Sequence, residues 1–232
     1  MLRNLLAGGD TKTFIIQILL SLPIILLSLS VHETAHAIAA NKLGDPTAKN
    51  LGRITLNPVK HLDPIGFLCM LLCGFGWANP VPINSRYFKN PRRDMAISAA
   101  AGPISNVLLA FIFALLLKIF FVAIQAFDIP FVIYSGNIIF ENDIFAILWR
   151  FLMIGISLNI TLAVFNLLPV PPLDGSRMLY VMLPPKQYFG VMKYERYISL
   201  GIMVLLLIGV LDPIISFASN KIANVIFLIV GL

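Results

Sequence analysis

The chain has 232 residues, 59% of them hydrophobic and only 12% charged, a mixture too apolar for a soluble domain and suited to an integral membrane protein with several spans. Its net charge of +6 does not argue for nucleic acid, because the Lys and Arg residues flank apolar runs, where they mark the cytoplasmic side of a membrane. The longest polar region, residues 44–63, is too short for a separate soluble domain, and no cleavable signal peptide is expected, because the first long apolar run itself carries chemistry.

The pattern predicts a first helix over residues 13–43, stopped by Gly44 with Pro46 just beyond. At 1.5 Å per residue it is about 45 Å long, more than a hydrocarbon core of about 30 Å, and Pro23 is a candidate kink. Residues 14–30 hold no charge, and His32-Glu33-Thr34-Ala35-His36 follows at once. Two imidazoles four residues apart share a helix face, close enough to hold one metal ion, with Glu33 beside them to hold a water or take its proton. This is the H-E-x-x-H spacing of zinc hydrolases. With Lys42 at the interface, His36 lies about 9 Å and His32 about 15 Å below it, submerged but nearer one surface.

Residues 45–94 read differently. Arg53-Ile54-Thr55-Leu56-Asn57 alternates and predicts a strand, while residues 65–78 form an apolar piece of only 14 residues, better suited to a re-entrant segment than a span. Lys42, Lys49, Arg53 and Lys60 precede this piece and Arg86, Lys89, Arg92 and Arg93 follow it, so both flanks are expected on the cytoplasmic side. Cys69 and Cys73 lie within the run, lack a further cysteine to complete a site, and read as small buried hydrophobes.

A second helix over residues 95–127, beginning near Asp94, opens with small residues that let helices approach closely and places Asn106 about 18 Å below Asp94, near the depth of His32. Residues 128–143 hold three acids and no Lys or Arg, and read as external. A broken helix is expected over residues 144–183. It must interrupt at Asn166-Leu167-Leu168-Pro169-Val170-Pro171-Pro172-Leu173-Asp174-Gly175, because prolines remove backbone donors. C-terminal membrane helices occupy residues 197–232, with a fourth span over 197–211; 214–232 reads equally as a final span or an interfacial helix.

A catalytic zinc usually takes three protein ligands. Asp174 is the preferred third, since it follows the break at matching depth; a helix N-cap is its bland alternative, and the two roles are compatible. His61 is the other candidate, in a polar stretch where a loop-bonded imidazole is the simpler reading. Asn106 and Asn166 read equally as functional amides or as hydrogen-bonded glue between helices.

These motifs resemble those of the site-2 proteases, intramembrane zinc metalloproteases, in their small core-only prokaryotic form. His32-Glu33-x-x-His36, Gly102-Pro103-x-x-Asn106 and Asn166-x-x-Pro169-x-Pro171-x-Leu173-Asp174-Gly175 occur in the family's order, and Arg53-x-Thr55-Leu56-Asn57-Pro58 and Pro80-Val81-Pro82-Ile83-Asn84 are also similar. The resemblance implies one Zn2+ per chain on His32, His36 and Asp174, with Glu33 activating the water. It implies that Asn106 and Asn166 bind substrate, and that the strand at Arg53 docks it. The expected architecture is an all-α polytopic membrane protein: four to five transmembrane helices around a buried zinc site, with a small membrane-associated β or re-entrant element. The expected activity is cleavage of peptide bonds in or near transmembrane segments of membrane-protein substrates, in a prokaryotic cell membrane, with the active site nearer the cytoplasm. The alternatives are a metal-ion transporter and a non-catalytic protein that binds membrane partners. Glutamine at position 33 separates them, since only catalysis needs that carboxylate.

Overall fold

The computed structural model describes residues 10–73, 77–134 and 137–232. Helix α1 spans Thr11–Lys42, 32 residues or about 48 Å. Asp10 caps it by accepting from the Thr13 amide at 2.9 Å, and Gly44, at φ +109°, ends it where the sequence predicts. Pro23 lies inside α1 without ending it. A four-residue helix α2 (Thr47–Asn50) follows.

The expected strand at Arg53 does not form: residues 53–57 belong to no ladder. The carbonyl of Thr55 is taken instead by two side chains, the Thr34 hydroxyl at 2.6 Å and the His61 Nε2 at 2.7 Å. A backbone whose acceptor is used this way is pinned to α1 rather than offered as a sheet edge.

Helix α3 (Pro64–Cys73) has ten residues and, at about 15 Å, is too short to cross a bilayer. Its Met70 and Leu71 pack on Ile25 and Leu29 of α1. Its two ends return to one place. Leu62 and Ala78 form an antiparallel bridge, and the Asn79 amide donates to the His61 carbonyl at 2.8 Å. The two ends of the apolar piece therefore meet beside α1, while its residues 74–76 lie outside the described set. Cys69 is half-buried and in no disulfide, less enclosed than the buried hydrophobe the sequence predicts.

Helix α4 (Pro91–Ala126) is the longest at 36 residues and packs against both α1 and α5 (Asp143–Leu167). Between α4 and α5 the chain forms the only sheet among the described residues, a hairpin of β1 (Phe131–Tyr134) and β2 (Asn137–Phe140) with Phe131 opposite Phe140. The small β element thus lies in the basic-free loop and not near Arg53. Phe140 meets Phe120 of α4 and Phe145 and Trp149 of α5 at ring separations of 5.8, 6.4 and 6.5 Å, which anchors the hairpin on the helix ends.

Helix α5 stops at Leu167, in the expected proline-rich break. The chain re-forms as α6 (Asp174–Met178) and a short 3-10 turn, Leu179–Val181. A Cβ at Gly175 would strike the carbonyl oxygens of Leu167 and Leu168, so only glycine lets α6 fold back against the last turn of α5.

The C-terminal third corrects the predicted spans. Helix α7 covers Pro185–Met192 and α8 covers Glu195–Leu207. At 13 residues, about 20 Å, α8 is short for a span, because Gly209 at φ +78° turns the chain early. The fourth membrane-length helix is α9, Asp212–Val230, which lies against α4 and α5 through Ile222 and Ile226. Lys118 of α4 donates to the Gly231 carbonyl at the end of α9. Four described helices, α1, α4, α5 and α9, are long and apolar enough to cross a membrane, consistent with an integral, multi-pass protein.

The exposed Leu51 and Tyr87 flank α3 in sequence, and the Tyr87 carbonyl lies beside Gly44 at the end of α1. Single cysteines at these two positions, with Cys69 and Cys73 replaced, should react with an impermeant thiol reagent from the same side; labelling from opposite sides would contradict this fold.

Candidate metal centre

His32 and His36 lie on one face of α1, one turn apart, with ring centroids 4.6 Å apart and planes at 82°. Asp174 reaches them from the start of α6, a position it owes to the proline break and the turn at Gly175. The three ligand atoms converge. His32 Nε2 and His36 Nε2 are 3.0 Å apart, and Asp174 Oδ2 is 3.1 Å from the first and 3.2 Å from the second. All three residues are buried.

The outer sides of the rings decide which atoms carry protons. His32 Nδ1 lies 2.5 Å from Asn106 Oδ1, and His36 Nδ1 lies 2.8 Å from the Ser98 carbonyl. Both partners accept, so each ring carries its proton on Nδ1. A neutral imidazole has one N–H, and each Nε2 therefore presents a lone pair to the other and to a carboxylate oxygen. Three acceptors facing one another in a buried place are unfavourable without a cation between them. Two imidazoles and one carboxylate are also a donor set that suits a zinc-type ion with a coordination place left open. The residues present fit such a metal. No other group of three or more metal-ligating side chains meets in this way among the described residues.

Helix α4 comes against the histidines at Gly102, the one residue type that this approach tolerates. A Cβ there would overlap His36 Nε2 and lie 2.6 Å from His32 Cε1 and Nε2. Glu33 is buried, and its Oε2 accepts from the Val81 amide at 2.9 Å. Val81 belongs to the extended run after α3 and packs on Ala37 of α1, so this run fixes the direction of the Glu33 carboxylate.

The remaining sequence candidates are dispersed. His61 is buried but committed to the Thr55 carbonyl, outside the cluster. Asn106 is fully buried, its Oδ1 on His32 and its Nδ2 on Asn159 Oδ1 at 3.0 Å, so both ends of the amide face protein and not a cleft. Asn166 is half-buried near the end of α5 and donates to the Leu162 carbonyl at 3.0 Å. Sequence reasoning expected close approach at the small residues ending in Gly102, but overlooked Ser98 as a partner of His36, Val81 as a partner of Glu33, and Asn159. Of these, Asn159 carried a signal of its own, an amide in an otherwise apolar helix.

A family model described as peptidase family M50 matches residues 20–210. The chain belongs to peptidase family M50. "Putative zinc metalloprotease YwhC" of Bacillus subtilis is 42% identical over 182 residues, covering 78% of this chain and 77% of that protein. "Putative zinc metalloprotease Rip2" of Mycolicibacterium smegmatis is 27% identical over 192 residues, 81% of this chain and 66% of the relative. No solved structure matches at comparable stringency. Within this M50 chain the matched region takes in α1 from residue 20 onward and all of α4, α5 and α6, and so every residue of the cluster.

A methyl group at Gly102 should displace the rings. In Gly102→Ala, zinc retained after mild chelation should fall at least about tenfold, by analogy with other disturbances of ligand orientation. Gly201→Ala, where a Cβ meets open space, should leave it unchanged. Equal retention in both variants would contradict the close approach.

Proposed function

We propose that this M50 peptidase is an intramembrane zinc metalloprotease that hydrolyses peptide bonds within or beside transmembrane segments of membrane-protein substrates. His32, His36 and Asp174 hold one zinc ion per chain, and Glu33 is the general base. The observation that carries this reading is the convergence of two imidazole nitrogens and a carboxylate oxygen within 3.2 Å of one another in a buried site, one residue along from an acid. When bound, zinc supplies Lewis acidity, polarising the scissile carbonyl and acidifying the attacking water.

The chain's own residues do the rest. Asn106 and the Ser98 carbonyl keep the Nδ1 protons on the outer sides of the rings, which leaves both Nε2 lone pairs for the metal. Glu33, aimed by the Val81 amide, takes the proton of the water and delivers it to the leaving amine. Asn166, at the break in α5, meets the substrate backbone. Asn106 serves the site through His32 and not by touching substrate. The apolar helices and the re-entrant α3 limit water around the site, which strengthens electrostatic interactions inside it. Lys42, Lys49, Arg86, Arg92 and Arg93 gather around the loops at the ends of α1 and α4, whereas residues 128–143 carry no Lys or Arg; by the positive-inside rule the site opens toward the cytoplasm. A substrate helix must unwind locally before its backbone can reach the site, because helical hydrogen bonds cover the scissile carbonyl.

In Glu33→Gln, cleavage of a model membrane substrate should fall about 10²–10⁴-fold with one zinc per chain retained, the usual worth of a general base. Cleavage near the wild-type rate would reject the role. Asp174→Ala should lose most bound zinc after purification, and chelator-treated wild-type protein should regain activity on adding zinc. Unchanged zinc in Asp174→Ala would reject the ligand set.

A further inference from the structure

We propose that Asn159 of α5, which touches no ligand atom, is a positioning residue for the metal site: it fixes the orientation of the Asn106 amide and so the proton position on His32. The proposal rests on the reading of His32 as a metal ligand.

The two histidines are held differently. His36 donates to a backbone carbonyl, which can only accept, so its tautomer is set by the main chain alone. His32 faces a side-chain amide, whose oxygen and nitrogen ends have nearly the same shape. With Oδ1 toward the ring, His32 keeps its proton on Nδ1 and offers Nε2 to the metal. With Nδ2 toward the ring, Nδ1 must accept, the proton moves to Nε2, and it points into the cluster where the cation belongs. Contact with His32 alone does not choose between these states.

The choice is made on the far side of the amide. Asn106 Nδ2 donates to Asn159 Oδ1 at 3.0 Å, with a longer contact of 3.4 Å to the Ser28 carbonyl. Asn159 Nδ2 in turn donates to the Gly155 carbonyl at 2.8 Å. Every bond runs in one sense, from the His32 N–H through Asn106 and Asn159 to a carbonyl that cannot reverse. Flipping Asn106 alone sets its Oδ1 against Asn159 Oδ1. Flipping both sets Asn159 Oδ1 against the Gly155 oxygen. Asn106 and Asn159 are both 0% exposed, so no bulk water is at hand to repair either clash. The Ser28 carbonyl favours the same orientation but at a distance that makes it the weaker constraint.

The test uses the full-length protein in detergent or bilayer and four variants: Asn159→Leu, Asn159→Ser, Asn106→Leu and the double Asn106→Leu/Asn159→Leu. Asn159→Leu should weaken zinc affinity about tenfold, measured by competition with a chelator, the low end of what outer partners of metal ligands contribute. Asn159→Ser should stay close to wild type, because a helical serine can donate to the carbonyl four residues back while its oxygen accepts from Asn106. Ser21 and Ser30 already donate in this way to Gln17 and Leu26. In the Asn106→Leu background, Asn159→Leu should add nothing, since its effect passes through Asn106.

With only three histidines in the chain, isotope-labelled imidazoles can be followed by NMR in the metal-free protein. His32 should carry its proton on Nδ1 in the wild type and in Asn159→Ser, and should show an Nε2-protonated population in Asn159→Leu. If Asn159→Leu does not accumulate, Asn159→Ala removes the same two groups without added bulk. Wild-type affinity in the Leu or Ala variant, additive losses in the double variant, or an unmoved His32 tautomer would each overturn the proposal. Full zinc binding by His32→Ala would instead overturn the ligand reading on which it rests.

Discussion

Three lone pairs pointed at one another inside an apolar bundle are the constraint around which the molecule is arranged. The arrangement depends on what stands behind the rings as much as on the ligands. Because Asn106 and the Ser98 carbonyl take the Nδ1 protons, His32 and His36 as neutral imidazoles have no second proton to offer Asp174. Had either ring been free to turn its tautomer, the three side chains could have satisfied one another and the site would be an ordinary buried hydrogen-bond cluster. Held as they are, the neutral rings and the carboxylate suit a cation between them, because unpaired acceptors facing one another in an apolar bundle are costly.

Several local features follow from bringing these atoms together. Helix α4 can come close enough to supply Ser98 and Asn106 only because residue 102 has no side chain. Asp174 can approach from the opposite end of the chain only because α5 breaks at its prolines and the chain folds back at Gly175. The extended run after α3 places Val81 where its amide meets Glu33. The hairpin and α9 lie at the other side of α4 and α5, where Phe140 and Ile226 join the larger apolar core and hold the helix pair that carries the site.

Much of the centre was legible in the sequence because its signals are local. The histidines are four apart, and helical periodicity alone puts them together. Asp174 was readable from the break before it, and the agreement in depth between Asn106 and His32 followed from helical rise. What the sequence hid were interactions set by tertiary approach. Alternation at Arg53–Asn57 suggested a strand, but Thr34 and His61 capture the Thr55 carbonyl, and no pattern in residues 53–57 reveals that. The hairpin arose in a loop noticed only for its lack of basic residues. Apolar composition after Tyr197 was read as a span, whereas the turn at Gly209 shortens α8 and gives the membrane-length helix to residues 212–230. Asn159 illustrates the same limit, since its importance depends on which way another residue's amide points.

The account stands or falls on the identity of the atoms around the metal. X-ray absorption spectroscopy of the purified, zinc-loaded wild-type protein measures that directly. Two imidazole nitrogens at about 2.0–2.1 Å and carboxylate oxygen at about 2.0–2.2 Å are expected, with no sulfur. A sulfur shell at about 2.3 Å, or a spectrum with fewer than two imidazoles, would contradict the convergence of His32, His36 and Asp174 on a single ion.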